Sequence, residues 1–320
     1  MPEGHVTHRL ASGLTERFAG APTRSTSPQG RFAGEAADID GHPLEVAEAY
    51  GKNLFVHFGD RAVHVHLGLA GRLSFGEDDA RPVLGQIRWR LENDRHYADL
   101  RGPQSCRLVD EAGIAAITDL LGPDPLRDDA EPEAGWERIR VSATPIGLLL
   151  MDQRVAAGVG NIFRAEVLYR HRIDPMMQGR LLRRSEWNAI WVDLVGLMHY
   201  AVLHGRIDTV RPEHDPVAMG RAPRVDRHGG EVYVYRRAAQ RCLVCGTRVR
   251  TRELGGRNLF WCPTCQRTSR RRVPAGRQAS APSRASTASA APTVPRLAAT
   301  RETAVRTNGQ RTPSSRTDVR

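Results

Sequence analysis

The chain has 320 residues, 40% of them hydrophobic, enough for two domains with cores of their own plus a smaller module. No stretch approaches the ~20 apolar residues of a membrane span, and Met1-Pro2-Glu3-Gly4-His5 lacks the basic and apolar regions of a secretory signal, so the expected compartment is the cytoplasm and no membrane partner is expected. The net charge of +11 suits a polyanion, but residues 271–320 hold ten Arg against Glu302 and Asp318, a net +8 that leaves +3 for the rest.

In chain order, residues 5–19 suggest an amphipathic helix, because Val6, Leu10, Leu14 and Phe18 recur every four residues. Strand signals run from there to about residue 110. Leu54, Phe55 and Val56 lie in an apolar run; Val63, Val65 and Leu67 alternate with His64 and His66; Ile87, Trp89 and Leu91 alternate with Arg88 and Arg90. A β-sandwich preceded by one helix is expected. The period changes near residue 112, where Ile114, Ile117 and Leu121 suit a helix ending at Gly122-Pro123. Further helices are expected around 136–140, 145–157, 161–172 and 185–204, the last with Ile190, Leu194, Leu197 and Ala201 on one face. Residues 206–230 suggest loop, and 232–236 a strand leading to the cysteines. Residues 271–320 are Ala, Ser, Thr, Pro and Arg with no aromatic residue. Such a segment cannot offset its ordering entropy by burial, so a disordered basic tail is expected, suited to weak, salt-sensitive contact with nucleic acid.

Four features carry chemistry. Cys242-x2-Cys245-x16-Cys262-x2-Cys265 can set four thiolates around Zn²⁺, with residues 247–261 as a hairpin between the pairs. Disulfides are the competing account, and nothing indicates an oxidising compartment. Cys106 stands alone and suits a small core position. Gln153-x4-Gly158-Val159-Gly160-Asn161 places a Gly-rich turn before a helix, where free N–H groups suit a phosphate and Asn161 adds a donor; an ordinary helix connection explains it equally well. At the N-terminus, removal of Met1 exposes the secondary amine of Pro2. An α-amine has a pKa of about 7.7–8.0, and attack on a sugar C1′ by this one gives an iminium, an electron sink for elimination. Glu3 beside it can move protons. Finally, Lys52 is the sole lysine among 47 basic residues. A lysine amine can relay a proton where a guanidinium cannot, although one lysine can also survive by chance.

Together these residues resemble the formamidopyrimidine-DNA glycosylase/endonuclease VIII family. The matching stretches are Met-Pro-Glu-Gly-His at the start, Gly51-Lys52-Asn53-Leu54-Phe55, His66-Leu67-Gly68-Leu69-Ala70-Gly71, Asp99-Leu100-Arg101-Gly102-Pro103 and Leu121-Gly122-Pro123-Asp124-Pro125-Leu126. Met151-Asp152-Gln153 through Ile162 resembles the helix–two-turn–helix element, and Gly256-Arg257-Asn258-Leu259-Phe260-Trp261-Cys262 the zinc finger. The resemblance runs from residue 1 to about 268.

It implies an α+β multidomain chain: an N-terminal catalytic domain of one helix plus a β-sandwich (1–125), a helical helix–two-turn–helix DNA-binding domain (126–231), a C-terminal β-hairpin zinc finger (232–268) and the disordered basic tail (269–320). It implies one structural zinc ion, a monomer, and a duplex DNA partner carrying damaged bases or abasic sites, in the cytoplasm and associated with the nucleoid. The implied activity is a bifunctional DNA glycosylase and abasic-site lyase of base excision repair. Pro2 would be the Schiff-base nucleophile and Glu3 the proton donor. Lys52 would assist β-elimination, and Arg257 would contact the lesion phosphate and assist δ-elimination. Gly160 and Asn161 would hold DNA backbone. An enzyme of this kind flips the damaged nucleotide out of the stack, and Leu69 is the candidate wedge that fills the gap. The wedge departs from the family, with Gly68-Leu69-Ala70 where endonuclease VIII resembles Gln-Leu-Tyr, so Arg101 is a second candidate. Residues 204–212 do not follow the formamidopyrimidine branch's Gly-Gly-Thr-Thr-Leu-Arg-Asp-Phe pattern, which favours the endonuclease VIII branch and oxidised pyrimidines. Two rivals remain: an oxidised-purine glycosylase, and a non-catalytic DNA-binding zinc protein on the same scaffold.

Overall fold

The structure, a computed structural model, describes residues 2–77, 83–226 and 230–267; the expected tail lies outside the described residues. The first helix, α1 (Gly4–Phe18), leads into β1 (Arg24–Thr26), α2 (Ala33–Asp38), β2 (Ala47–Tyr50), β3 (Asn53–Phe58), β4 (Arg61–His66), β5 (Arg72–Glu77), β6 (Trp89–Glu92), β7 (His96–Arg101) and β8 (Ser105–Asp110). These strands form two antiparallel four-stranded sheets, ordered β1-β6-β7-β5 and β2-β3-β4-β8. Leu54, Val56, Val63 and Val65 of one sheet and Trp89, Leu91, Ala98 and Leu100 of the other share one buried core with Ala11, Leu14 and Phe18 of α1. Val6 and Leu10 of the expected helix face pack at its edge.

The alternation read from the sequence fails at two places, and a polar partner explains each. Arg90 is 5% exposed rather than outward-facing. It lies opposite Asp99 across β6–β7 and makes a two-pronged bond to it at 2.7 and 3.0 Å. Such a pair satisfies both charges inside the sheet. His64 is likewise buried, stacked on Phe55 with Nε2 3.0 Å from Asn53 Oδ1.

The second half begins with α3 (Glu111–Thr118), α4 (Pro132–Ile139), α5 (Ile146–Leu149), α6 (Asn161–Arg170) and α7 (Arg184–His204), and ends in a hairpin of β9 (Arg250–Leu254) and β10 (Arg257–Trp261). α3 stops at Thr118, short of the expected Gly122. The α7 helix buries Ile190, Leu194, Met198 and Ala201 and ends at Gly205, whose φ of 68° suits the left-handed cap. Phe163, Leu168, Trp187 and Leu194 belong to the same core as Tyr235, Cys242, Val249, Phe260 and Cys262, so the helices and the cysteine hairpin are packed as one.

Two expected elements are replaced. Only Ile146–Leu149 of the expected 145–157 helix is helical. Beyond it the backbone pairs with the Gly122-Pro123 turn, Gly122 N donating to Gln153 O and Ala157 N to Pro123 O, both at 2.9 Å. Residues 232–236 are not a strand. The amides of Tyr233, Val234 and Tyr235 turn inward together and donate to the buried carboxylate of Glu166 at 2.7–2.8 Å, which no β-ladder permits.

Candidate active site

The start of α1, the beginning of β3, the 67–71 loop, the 151–160 turns and the β9–β10 hairpin meet around a cleft of about 350 Å³. Pro2, Lys52, Leu69, Arg164 and Arg257 line it, with His66, Gln104 and Gln153. Three of the expected chemical groups, from residues 2, 52 and 257, therefore reach one space.

Glu3 is 1% exposed, seated on the N-terminus of α6. Its carboxylate accepts hydrogen bonds from Ile162 N at 2.7 Å, Gly160 N at 3.0 Å and Phe163 N at 3.3 Å. Gly160 ends the Gly-rich turn and Ile162 and Phe163 open the helix that the sequence offered to a phosphate; the chain's own carboxylate holds their amides. A helix N-terminus favours negative charge of any source. Gly160 is required for the approach, since a Cβ there would lie 2.3 Å from Glu3 Cδ. Burial nevertheless pushes the Glu3 carboxyl up, against the opposing pull of Lys52 and the three amides.

Lys52 is half-buried, and its Nζ donates to Val159 O at 2.7 Å. Burial lowers its pKa to about 8, with Arg257 adding to the shift and Glu3 opposing it. At pH 7 roughly a tenth of the amine is then neutral, against about one part in 2,500 for an exposed lysine. The position is set from both sides. Gly51 N donates to Asp124 Oδ2 at 2.7 Å, and His8 Nε2 lies 2.7 Å from the same oxygen. Gln153 holds Val159 O through Nε2 and Gly158 N through Oε1, each at 3.0 Å, while Gly4 N donates to Gly158 O at 2.8 Å.

Leu69, 72% exposed, stands at the cleft mouth. Arg101 is tied down: it donates to Asp99 Oδ2 at 2.9 Å, Leu84 O at 3.2 Å and Ser74 Oγ at 3.2 Å. Asn161 is 8% exposed and bonds Asn258 O through Nδ2 at 3.0 Å, so it fastens the hairpin next to Arg257. Arg164, fully buried, bonds Gly147 O at 3.2 Å and Asn258 O at 3.4 Å as well as the Asn161 side chain. Burial lowers its pKa to about 10; the nearby Glu3 opposes and Arg257 adds. Asp124 and Arg164 had no role assigned from the sequence, and Gln153 only opened the Gly-rich motif. A carboxylate between two prolines, in Pro123-Asp124-Pro125, was the available signal for the first. Nothing in the sequence marks Arg164 among so many arginines.

The four cysteine sulfurs lie within 4.8 Å of one another, with Cys242–Cys265 at 3.8 Å and Cys245–Cys262 at 3.4 Å. Four Zn–S bonds of about 2.3 Å in a tetrahedron put sulfurs about 3.8 Å apart, while a disulfide needs about 2.0 Å. The set fits one structural zinc ion. Gln266 locks it to the helices, accepting from Cys262 N at 2.9 Å and donating to Ile173 O at 3.0 Å. Cys106 is partly buried at the sandwich core, and burial pushes its thiol up to about 12.

Residues 1–106 match the formamidopyrimidine-DNA glycosylase N-terminal domain, 121–211 its H2TH domain, and 239–268 the zinc finger found in FPG and IleRS. Endonuclease 8 1 of Mycobacterium tuberculosis is 49% identical over 277 residues, 83% of this chain and all of that one. The chain belongs to the formamidopyrimidine-DNA glycosylase family. Formamidopyrimidine-DNA glycosylase of Thermomicrobium roseum is 32% identical over 244 residues, 70% of this chain and 82% of that one. The fold is also that of MutM in complex with carbocyclic 8-oxo-G containing DNA, with a TM-score of 0.68 at 20% identity, covering 83% of this chain and all of that one. In this family member, then, the cleft and the zinc hairpin lie within the matched domains. No helix among the described residues is long and apolar enough to cross a membrane.

Proposed function

We propose that this chain is a bifunctional DNA glycosylase and abasic-site lyase that removes oxidised pyrimidines from duplex DNA. The observation that carries the proposal is the cleft itself, where residues 2, 52 and 257 meet beside a buried Glu3. After loss of Met1, the Pro2 amine attacks C1′ of the flipped nucleotide and the base leaves. Glu3, a carboxyl that keeps its proton to higher pH than usual, supplies the proton. The C1′–O4′ bond then opens, with O4′ taking up a proton, to leave the prolyl iminium. This withdraws electrons from C2′, the C2′ proton passes to water, and the C3′–O bond breaks so that the 3′ phosphate departs by β-elimination. Arg257 steadies the phosphate charge and assists the second, δ-elimination.

Burial narrows the difference between the two candidate amines, so placement must separate them. Lys52 Nζ donates to the Val159 carbonyl, a bond that favours the cation. Lys52 also forms an imine that can lose its charge, whereas a prolyl iminium cannot. Pro2 is therefore the nucleophile and Lys52 the positioned cation. Leu69, already exposed at the mouth, fills the gap left by the flipped nucleotide, and Arg101 joins only by leaving Asp99. Asn161 offers DNA backbone a donor by giving up Asn258. The branch assignment leans on the 49% identity to a protein named Endonuclease 8 1 and on residues 204–212.

The test is a set of duplexes, each carrying one defined lesion, with borohydride added during turnover. Oxidised pyrimidines should be excised fastest and the trapped DNA should map to the N-terminal peptide. An adduct on Lys52 would overturn the nucleophile, and faster excision of 8-oxoguanine would move the chain to the oxidised-purine branch.

A further inference from the structure

The α6 helix runs from the carboxylate of Glu3 to the metal site. Its first turn holds Glu3, and its penultimate residue, Tyr169, lies about 12 Å further along at 1.5 Å per residue. Tyr169 is 5% exposed, with its ring stacked on Tyr233 at 4.6 Å. Its hydroxyl is 3.0 Å from Cys242 Sγ and 3.9 Å from Cys265 Sγ. The other hydroxyl of the stack is engaged elsewhere: Tyr233 Oη accepts from Arg211 N at 2.9 Å and lies 3.0 Å from His214 Nδ1.

We propose that Tyr169 is an outer-sphere partner of the zinc ion, a positioning residue whose phenol donates a hydrogen bond to the Cys242 thiolate and slows loss of the metal. The inference rests on the four-cysteine zinc centre. A metal-bound thiolate carries charge that a buried O–H can share, so the bond favours the bound, deprotonated sulfur over the released thiol. Packing alone accounts for the ring but not for the hydroxyl, whose partners among the described contacts are these two sulfurs. A buried hydroxyl without a partner would cost stability, and here the partners are zinc ligands. The bond also ties metal retention to α6, the helix that seats Glu3.

Tyr169→Phe removes the hydroxyl and keeps the ring; Tyr233→Phe removes the other hydroxyl of the same stack. Full-length wild type and both variants would be purified, checked for one zinc per chain, and mixed with 4-(2-pyridylazo)resorcinol to follow zinc release by absorbance. Mass mapping of iodoacetamide labelling would report exposure of the Cys242 thiol. Outer-sphere partners change metal affinity by about 10–100-fold. Zinc release from Tyr169→Phe is expected to be about tenfold faster, with faster labelling of Cys242 and an unchanged melting profile while loaded. Tyr233→Phe should release zinc at the wild-type rate. Equal rates for Tyr169→Phe and wild type, or equal acceleration in both variants, would overturn the proposal. A wild-type protein without zinc would instead overturn the metal centre itself, before any variant is compared.

Discussion

Two buried carboxylates, one seated at the start of α6 and one within it, are held in the same way, yet the proposed function gives them different ends. Glu3 accepts from the amides of Gly160, Ile162 and Phe163 at the start of α6. Glu166, within α6, accepts from the amides of Tyr233, Val234 and Tyr235 and from the Thr209 hydroxyl. Both are at most 1% exposed. What separates them is their surroundings. Glu3 adjoins Pro2 at an open cleft and feels Lys52, whereas every partner of Glu166 is a structural segment. A buried carboxylate ringed by amides is therefore a fastening in itself, and becomes chemistry only where a reacting group can reach it.

Amide replacements can break that comparison. The largest effect is expected from Glu3→Gln. General acid catalysis contributes about 10²–10⁴-fold, so single-turnover base excision should fall by that range. Strand cleavage at a preformed abasic site, which needs no base protonation, should persist. Equal loss of both steps would show that Glu3 only shapes the cleft.

Glu166→Gln should do the reverse. Its NH₂ would face donors that now point at a carboxylate, and each buried group left unmatched costs about 1–3 kcal/mol. A loss of about 3 kcal/mol in unfolding free energy is expected by denaturant titration. Excision per folded molecule should be near normal at a temperature where the fold survives. Loss of chemistry without loss of stability would erase the distinction between the two sites.

A subtler effect sharpens it by pH. Lys52 has its pKa lowered to about 8 by burial, so the cation is present below pH 8 and disappears above it. The alkaline limb of single-turnover cleavage should fall near pH 8 rather than above pH 10. For stability the sign is opposite: the unfolded chain keeps the proton to higher pH, so the cost of burying Lys52 is greatest below pH 8 and is relieved as pH rises. Lys52→Arg keeps its charge throughout; it should lower the rate and remove that limb. A limb unchanged in Lys52→Arg would assign it to another group.

How much of this was legible depends on whether the physics is local. The zinc ligands are, because two Cys-x2-Cys pairs put four sulfurs within reach of one ion. The sandwich was legible from strand alternation, apart from Arg90 and His64, whose partners lie on neighbouring strands. The Gly158-Val159-Gly160 turn announced an anion site, but a helix end specifies only the sign of its guest, and the guest was Glu3, more than 150 positions away. Residues 232–236 alternate like a strand until one carboxylate gathers their amides. Residues 145–157 hold apolar residues enough for a helix, and long-range backbone bonds to the Gly122-Pro123 turn take the place of its own. Lys52 stood out by being alone, whereas Arg164 was hidden among 46 other basic residues.

The seat of Glu3 also has a consequence for the order in which the molecule comes into being. Ribosomes make residues 2 and 3 at the outset, but the amides that fix Glu3 belong to residues 160–163. The strand that brings Arg257 comes later still. A nascent or prematurely ended chain therefore carries Pro2 and Glu3 without the seat that fixes Glu3. The first residues synthesised are among the last to be placed, so on the proposed mechanism an unfinished copy would have no assembled cleft with which to cut the genome that encodes it.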